Sequence, residues 1–180
     1  HPDDIEFLLA GTLLKLKEAG AEIHMWNLAN GCCGTQEHGY DEIIKMRDRE
    51  SRESARIAGA VYHPALADDL TIFYEPHLLA RVTAVIREIQ PNVILTQPPN
   101  DYMEDHQNTC RLVVTGAFCR GMPNFPTNPQ RDPWTGHTAI YHCMPHGLRD
   151  GLRRLQGGGH YVDSGPVMET KRAMLSEHRS

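Results

Sequence analysis

Apolar positions along the chain switch repeatedly between helical and strand-like spacing. Residues 5–19 place Ile5, Leu8, Leu9, Leu13 and Leu16 on one helical face, with Gly20 as the stop. Asp3 and Asp4 stand at its mouth, where carboxylates accept orphan N–H groups and meet the positive end of the dipole. Residues 22–29 read as a strand and residues 30–40 as a Gly-rich loop. A charged helix is predicted over 41–58, closed by Gly59, and a short strand near 60–63. Residues 76–89 repeat Leu78, Leu79, Val82, Val85, Ile86 and Ile89 at helical spacing, opened by Pro76 and stopped by Pro91. The run 92–96 reads as a buried parallel strand, followed by a helix over about 105–118. A long Gly/Pro-broken loop is predicted over 120–138, then strands at 139–144 and 161–163 and a terminal helix over 166–178.

Such alternation predicts a three-layer αβα sandwich with a mostly parallel sheet, and sites at the carboxyl ends of its strands. We expect a single domain over 1–180. The first helix needs a strand to pack on, and His1 falls inside a motif, so a longer parent chain is expected, with a central strand upstream of residue 1.

Composition narrows the function classes. The net charge is −5, with 18 basic and 23 acidic residues, so a nucleic-acid partner is not expected. No apolar run approaches the roughly 20 residues of a membrane span. The five cysteines are odd in number and form no CxxC pair, which argues against both a disulfide scaffold and a thiolate zinc site. Reduced, half-buried thiols point to a cytoplasmic chain, although a leader would lie before residue 1. Eleven histidines in an acidic chain direct attention to metal binding.

Two clusters carry candidate chemistry. His1-Pro2-Asp3-Asp4 puts an imidazole and a carboxylate three residues apart on a turn, where both can meet one ion. Asp3 between them is then placed to take a proton from water. On local spacing alone, the two aspartates are equally readable as helix caps and His1 as a loop residue. The second cluster, Asn100 to His106, follows the buried strand and opens a helix. His106 is a candidate third ligand, and Asp105 a carboxylate that orients an imidazole. Alone, this cluster also reads as a polar loop with a capping aspartate. Two nitrogens, one carboxylate and an open position are the pattern of hydrolytic rather than structural zinc.

His1-Pro2-Asp3-Asp4 resembles the HPDD signature of the LmbE-like, or PIG-L-like, zinc N-deacetylases. Asn30-Gly31 to Gly34 is similar to the family's Gly-containing loop, and Arg47, Glu50 and Ala58-Gly59 to its R-x-x-E helix. Asp105-His106 resembles the end of its HPDH motif, and residues 161–180 its terminal region, which ends in H-x-S-Q. The resemblance implies a Rossmann-like fold and removal of an N-acetyl group from an N-acetylglucosamine-type sugar or conjugate. It implies zinc, or another divalent ion, on His1, Asp4 and His106. Asp3 would be the general base acting on a zinc-bound water, and Arg47 and Asp68 substrate contacts. It also implies a small amino-sugar as partner and self-assembly into oligomers. One departure stands out: Met103 occupies the place of a family histidine that stabilises the oxyanion. Tyr102 or a histidine from elsewhere, such as His142, is the expected substitute. Losing such a donor typically costs on the order of 10²–10³ in rate. The departure keeps two alternatives open, a non-catalytic metal- and carbohydrate-binding member of the fold and a hydrolase of another bond.

Overall fold

In the computed structural model, which describes residues 1–180, helices and strands alternate along most of the chain. The order is α1 (Asp4–Leu8), α2 (Ala10–Glu18), β1 (His24–Trp26), α3 (Tyr40–Ala58), β2 (Val61–His63), α4 (Pro76–Ile89), β3 (Val93–Thr96), α5 (Glu104–Cys119), β4 (Ala139–His142) and α6 (Met168–Leu175). Every strand pairing is parallel, as the alternation predicts: β1 with β2 and β3 with β4. The chain forms two compact units, His1–Thr71 with Gly158–Ser180, and Ile72–Gly157.

In the first unit, β1 and β2 pair in the register His24↔Val61, and an isolated bridge joins Ala29 to Ala67 beyond them. Their carboxyl ends lead into residues 27–39 and 64–71, the two loops that carry chemistry. The core gathers Ala10, Leu14, Ile23, Met25, Ala55, Ala58, Val167 and Met174. The predicted helix 5–19 divides at Leu9, whose φ of −120° interrupts regular geometry although its N–H still donates to Ile5 O at 2.8 Å. The buried line is Glu6, Ala10 and Leu14, at i, i+4 and i+8. Only the flank of the predicted leucine face, Ile5, Leu13 and Leu16, packs on the core. At Gly11 an added Cβ would stand 2.6 Å from Ser164 Cβ, so the helix lies close to the segment before α6 there. Residues 161–163, expected as a strand, pair with nothing and remain irregular.

In the second unit, α4 packs on α5 through Val82, Ile86 and Leu112, all buried. The approach is close at Gly116, where a Cβ would lie 3.2 Å from Val82 and Ile86. The predicted loop 120–138 is pinned by Arg87, which is 4% exposed. Its guanidinium donates to the carbonyls of Cys119, Arg120, Met122 and Arg131. A buried cation is tolerated because its fixed fork of donors is satisfied by carbonyls. No helix is long and apolar enough to cross a membrane.

Candidate active site

His1, Asp3 and Asp4 sit on the turn into α1. His1 Nδ1 and Asp4 Oδ2 lie 3.2 Å apart. Two ligands held at about 2.1 Å from one ion in tetrahedral geometry are separated by about 3.4 Å, so this pair fits a divalent cation without rearrangement. Asp3 has φ 92°, a left-handed conformation that a non-glycine residue adopts at a cost of about 1–3 kcal/mol. Its side chain makes no capping hydrogen bond to α1. The capping reading of this residue therefore fails. Burial, then the Asp4 charge, push that carboxyl above its ordinary value, while Arg47 and His178 oppose the shift.

Arg47, on α3, lies against the Gly-rich loop. A Cβ on Gly31 would fall 2.3 Å from Arg47 Cδ, and one on Gly34 would fall 2.6 Å from its Nη1. Nη2 donates to Gly34 O at 3.1 Å, whereas the buried Nε has no partner. Gly31 itself is at φ 81°. Gly31→Ala is thus expected to lower stability by about 1–2 kcal/mol through left-handed strain, and to displace Arg47. Gly157, exposed in irregular structure with nothing within 4 Å of an added Cβ, is the control. Thermal unfolding should show a clear drop for Gly31→Ala and a change within about 0.5 kcal/mol for Gly157→Ala.

Asp68 and Asp69 divide their duties. Asp68 accepts from Asn30 Nδ2 and from Tyr40 Oη, both at 2.6 Å, so its two oxygens clamp the loop. Asp69 accepts the N–H groups of Gly31 at 2.7 Å and Cys33 at 2.9 Å. Its Oδ1 lies 4.0 Å from His1 Nε2. Sequence reasoning singled out Asp68 for substrate contact and gave no role to Asp69.

Beneath Asp3 lies a second polar group that the sequence only hinted at, through its terminal H-x-S. Glu6 is fully buried; it accepts a hydrogen bond from Ser54 Oγ and faces His178 Nε2 at 3.3 Å. Glu50, of the R-x-x-E pattern, accepts from Arg179 N and Ser180 Oγ and so ties down the same terminal stretch. Burial pushes the His178 imidazole down, but the Glu6 carboxylate and the charges of Asp3 and Glu50 outweigh it and hold its pKa above 6.5. A folded pKa above the unfolded one means stabilisation that is complete below about 6.5 and fades as pH rises through the raised value. The urea midpoint of wild type should exceed that of His178→Gln most on the acid side of neutrality, with the gap narrowing at higher pH. A gap independent of pH would contradict the charged Glu6–His178 pair.

Tyr102, Asp105 and His106 belong to the second unit, at the carboxyl end of β3 and the start of α5. His106 is 3% exposed, and its Nδ1 lies 3.1 Å from Asp101 Oδ1. Asp101 also accepts the N–H of Met103 at 3.0 Å. A carboxylate on one ring nitrogen fixes the tautomer and orients the other. Asp105, the carboxylate expected to orient an imidazole, is buried on the first turn of α5; Asp101, five residues before His106, was not singled out by the sequence. Tyr102 is exposed and meets the His106 ring edge-on, centroids 5.8 Å apart. His142, the other candidate oxyanion donor, engages Gln97 O through Nδ1 at 2.9 Å.

The family described as GlcNAc-PI de-N-acetylase (PIG-L) matches residues 1–117. This chain belongs to the PIG-L family. It is 27% identical over 187 residues to the diacetylchitobiose deacetylase of Thermococcus kodakarensis, covering all of this chain and 67% of that protein. The solved N,N'-diacetylchitobiose deacetylase of Pyrococcus horikoshii superposes with TM-score 0.84 at 25% identity, over 99% of this chain and 67% of that one. The 4-carboxy-2-hydroxymuconate hydratase of Pseudomonas putida also gives TM-score 0.84, at 19% identity, over 100% of this chain and 76% of that one. That last likeness shows a shared fold and nothing of the reaction. The PIG-L chain described here is thus an N-deacetylase-family protein with the α/β fold of its solved relatives.

Proposed function

We propose that the chain is a metal-dependent hydrolase that removes the N-acetyl group from an N-acetylglucosamine-type sugar. The observation that carries the reading is Asp3: a carboxyl in strained left-handed geometry, uncommitted to capping, beside an imidazole and a carboxylate spaced for one cation. The named relatives support the substrate class.

His1, Asp4 and His106 are the ligands of this reading, with zinc as the metal. A bound divalent ion supplies Lewis acidity, polarising the acetyl carbonyl and easing the deprotonation of water. Asp3 accepts the proton of the attacking water and returns it to the departing amine, so that amide and water yield amine and acetate. Asp101, 3.1 Å from His106 Nδ1, is the carboxylate assigned to orient that ring. Arg47, whose Nη2 end lies exposed at the Gly-rich loop, is the cation assigned to oxygens of the sugar. Tyr102, exposed beside His106, is the hydroxyl donor assigned to the oxyanion in place of the missing histidine, and Asp105 supports the ligand turn. Asp68 acts on the sugar only through the loop it clamps.

The test is acetate release. Metal-loaded protein is expected to liberate acetate from N-acetylglucosamine or N,N'-diacetylchitobiose. Met103, whose side chain has no proton to donate, favours a second reading, a metal- and sugar-binding protein without turnover. Saturable sugar binding with no acetate, unchanged by Met103→His, would select that reading.

A further inference from the structure

Adjacent residues in an extended chain project to opposite sides, so neighbouring cysteines do not ordinarily face each other. Cys32 and Cys33 do. The turn that follows Gly31 brings their Sγ atoms to 3.8 Å. The turn is held from outside by side chains: Asp69 accepts the N–H groups of Gly31 and Cys33, and Asn30 Oδ1 accepts that of Cys32 at 3.0 Å. The carboxylate that braces the turn also faces the thiols. Both sulfurs and an Asp69 oxygen lie within 4.8 Å of one another.

Two thiolates bound to one tetrahedral ion at about 2.3 Å are separated by about 3.8 Å. The observed spacing is therefore that of a chelating pair, reached without closing a disulfide. Both thiols are accessible, Cys33 exposed and Cys32 partly so. Thiolates select soft and borderline cations over magnesium or calcium.

We propose that Cys32 and Cys33, with Asp69 as third donor, form a second cation site, selective for thiophilic divalent ions of the zinc–cadmium class. Its donors are distinct from His1, Asp4 and His106. Binding forms two metal–sulfur bonds, breaks two S–H bonds and releases two protons to solvent; no electrons are transferred. Burial pushes the Cys32 thiol up to about 11, so the ion must displace a proton there and affinity falls as pH is lowered. The site has a connection to the catalytic reading. Asp69 Oδ1 is 4.0 Å from His1 Nε2, and Gly34, at the end of the same turn, accepts from Arg47. An ion on the thiols stiffens the wall against which Arg47 packs.

The experiment is a cadmium titration of the full reduced chain, followed by the ultraviolet thiolate-to-cadmium charge-transfer band. Wild type and His106→Ala should both develop the band, saturating at one equivalent per chain. Cys32→Ser or Cys33→Ser should each roughly halve it and weaken affinity by at least about tenfold, as loss of a ligand exceeds loss of its supporting partner. The double variant should lack it. A band that persists in the double variant, from Cys110, Cys119 or Cys143, overturns the proposal, as does its absence from wild type. Turnover is not read, so an inactive deacetylase leaves this result standing, and failure here leaves the deacetylase reading intact.

Discussion

Asp3→Asn is expected to reduce acetate release by about 10²–10⁴, the usual worth of a positioned general base. The substitution is chosen to isolate the proton. Asn has the volume of Asp and is among the residues that tolerate left-handed φ, so the turn at φ 92° survives it. Asp3→Ala would confound lost chemistry with backbone strain. Because Asp3 makes no capping bond to α1, removing its charge withdraws no helix stabilisation through capping. Metal content and thermal midpoint should therefore match wild type while turnover collapses. Equal loss of metal and activity would make Asp3 a ligand instead. Unchanged turnover would remove the general-base role.

The second large effect is loss of the ion. Chelation is expected to abolish turnover and added zinc to restore it; Asp4→Ala and His106→Ala should be inactive and beyond rescue at the zinc level that restores wild type. Asp101→Asn separates holding the imidazole from coordinating the metal. Asp101 reaches His106 Nδ1 at 3.1 Å, and loss of such a partner typically lowers metal affinity 10–100-fold. Its activity should return at higher zinc, unlike that of His106→Ala. Full activity of Asp101→Asn at limiting zinc would show that the carboxylate does not tune the ligand.

These expectations rest on features that differ in how visible they are in the chain itself. Helix α4 was legible to the residue, because strong 3.6-residue periodicity is bounded by Pro76 and Pro91. Helix α3 was closed as expected by left-handed Gly59. The break at Leu9 was not legible, since the leucine spacing runs on through it. The segment 161–163 has strand-like residues but no partner, and pairing is a property no local pattern carries.

The site divides in the same way. His1, Asp3 and Asp4 were visible because one turn holds all three. Asp68 and Asp69 are neighbours of identical chemistry, and only the fold shows that one clamps Tyr40 and Asn30 while the other braces the cysteine turn. Glu6 and His178 stand at opposite ends of the chain, and sequence offered only the H-x-S resemblance to connect them. Asp101 stands five residues before His106, and only the fold shows its carboxylate facing that ring at 3.1 Å.

The most direct test of the central claim is acetate release from N,N'-diacetylchitobiose while metal-free protein is titrated with zinc, run beside His106→Ala. Release should be absent without metal, rise with bound zinc in wild type, and stay at background in His106→Ala throughout. Release by the metal-free protein, or none from fully loaded wild type on any N-acetylated sugar, would contradict that claim.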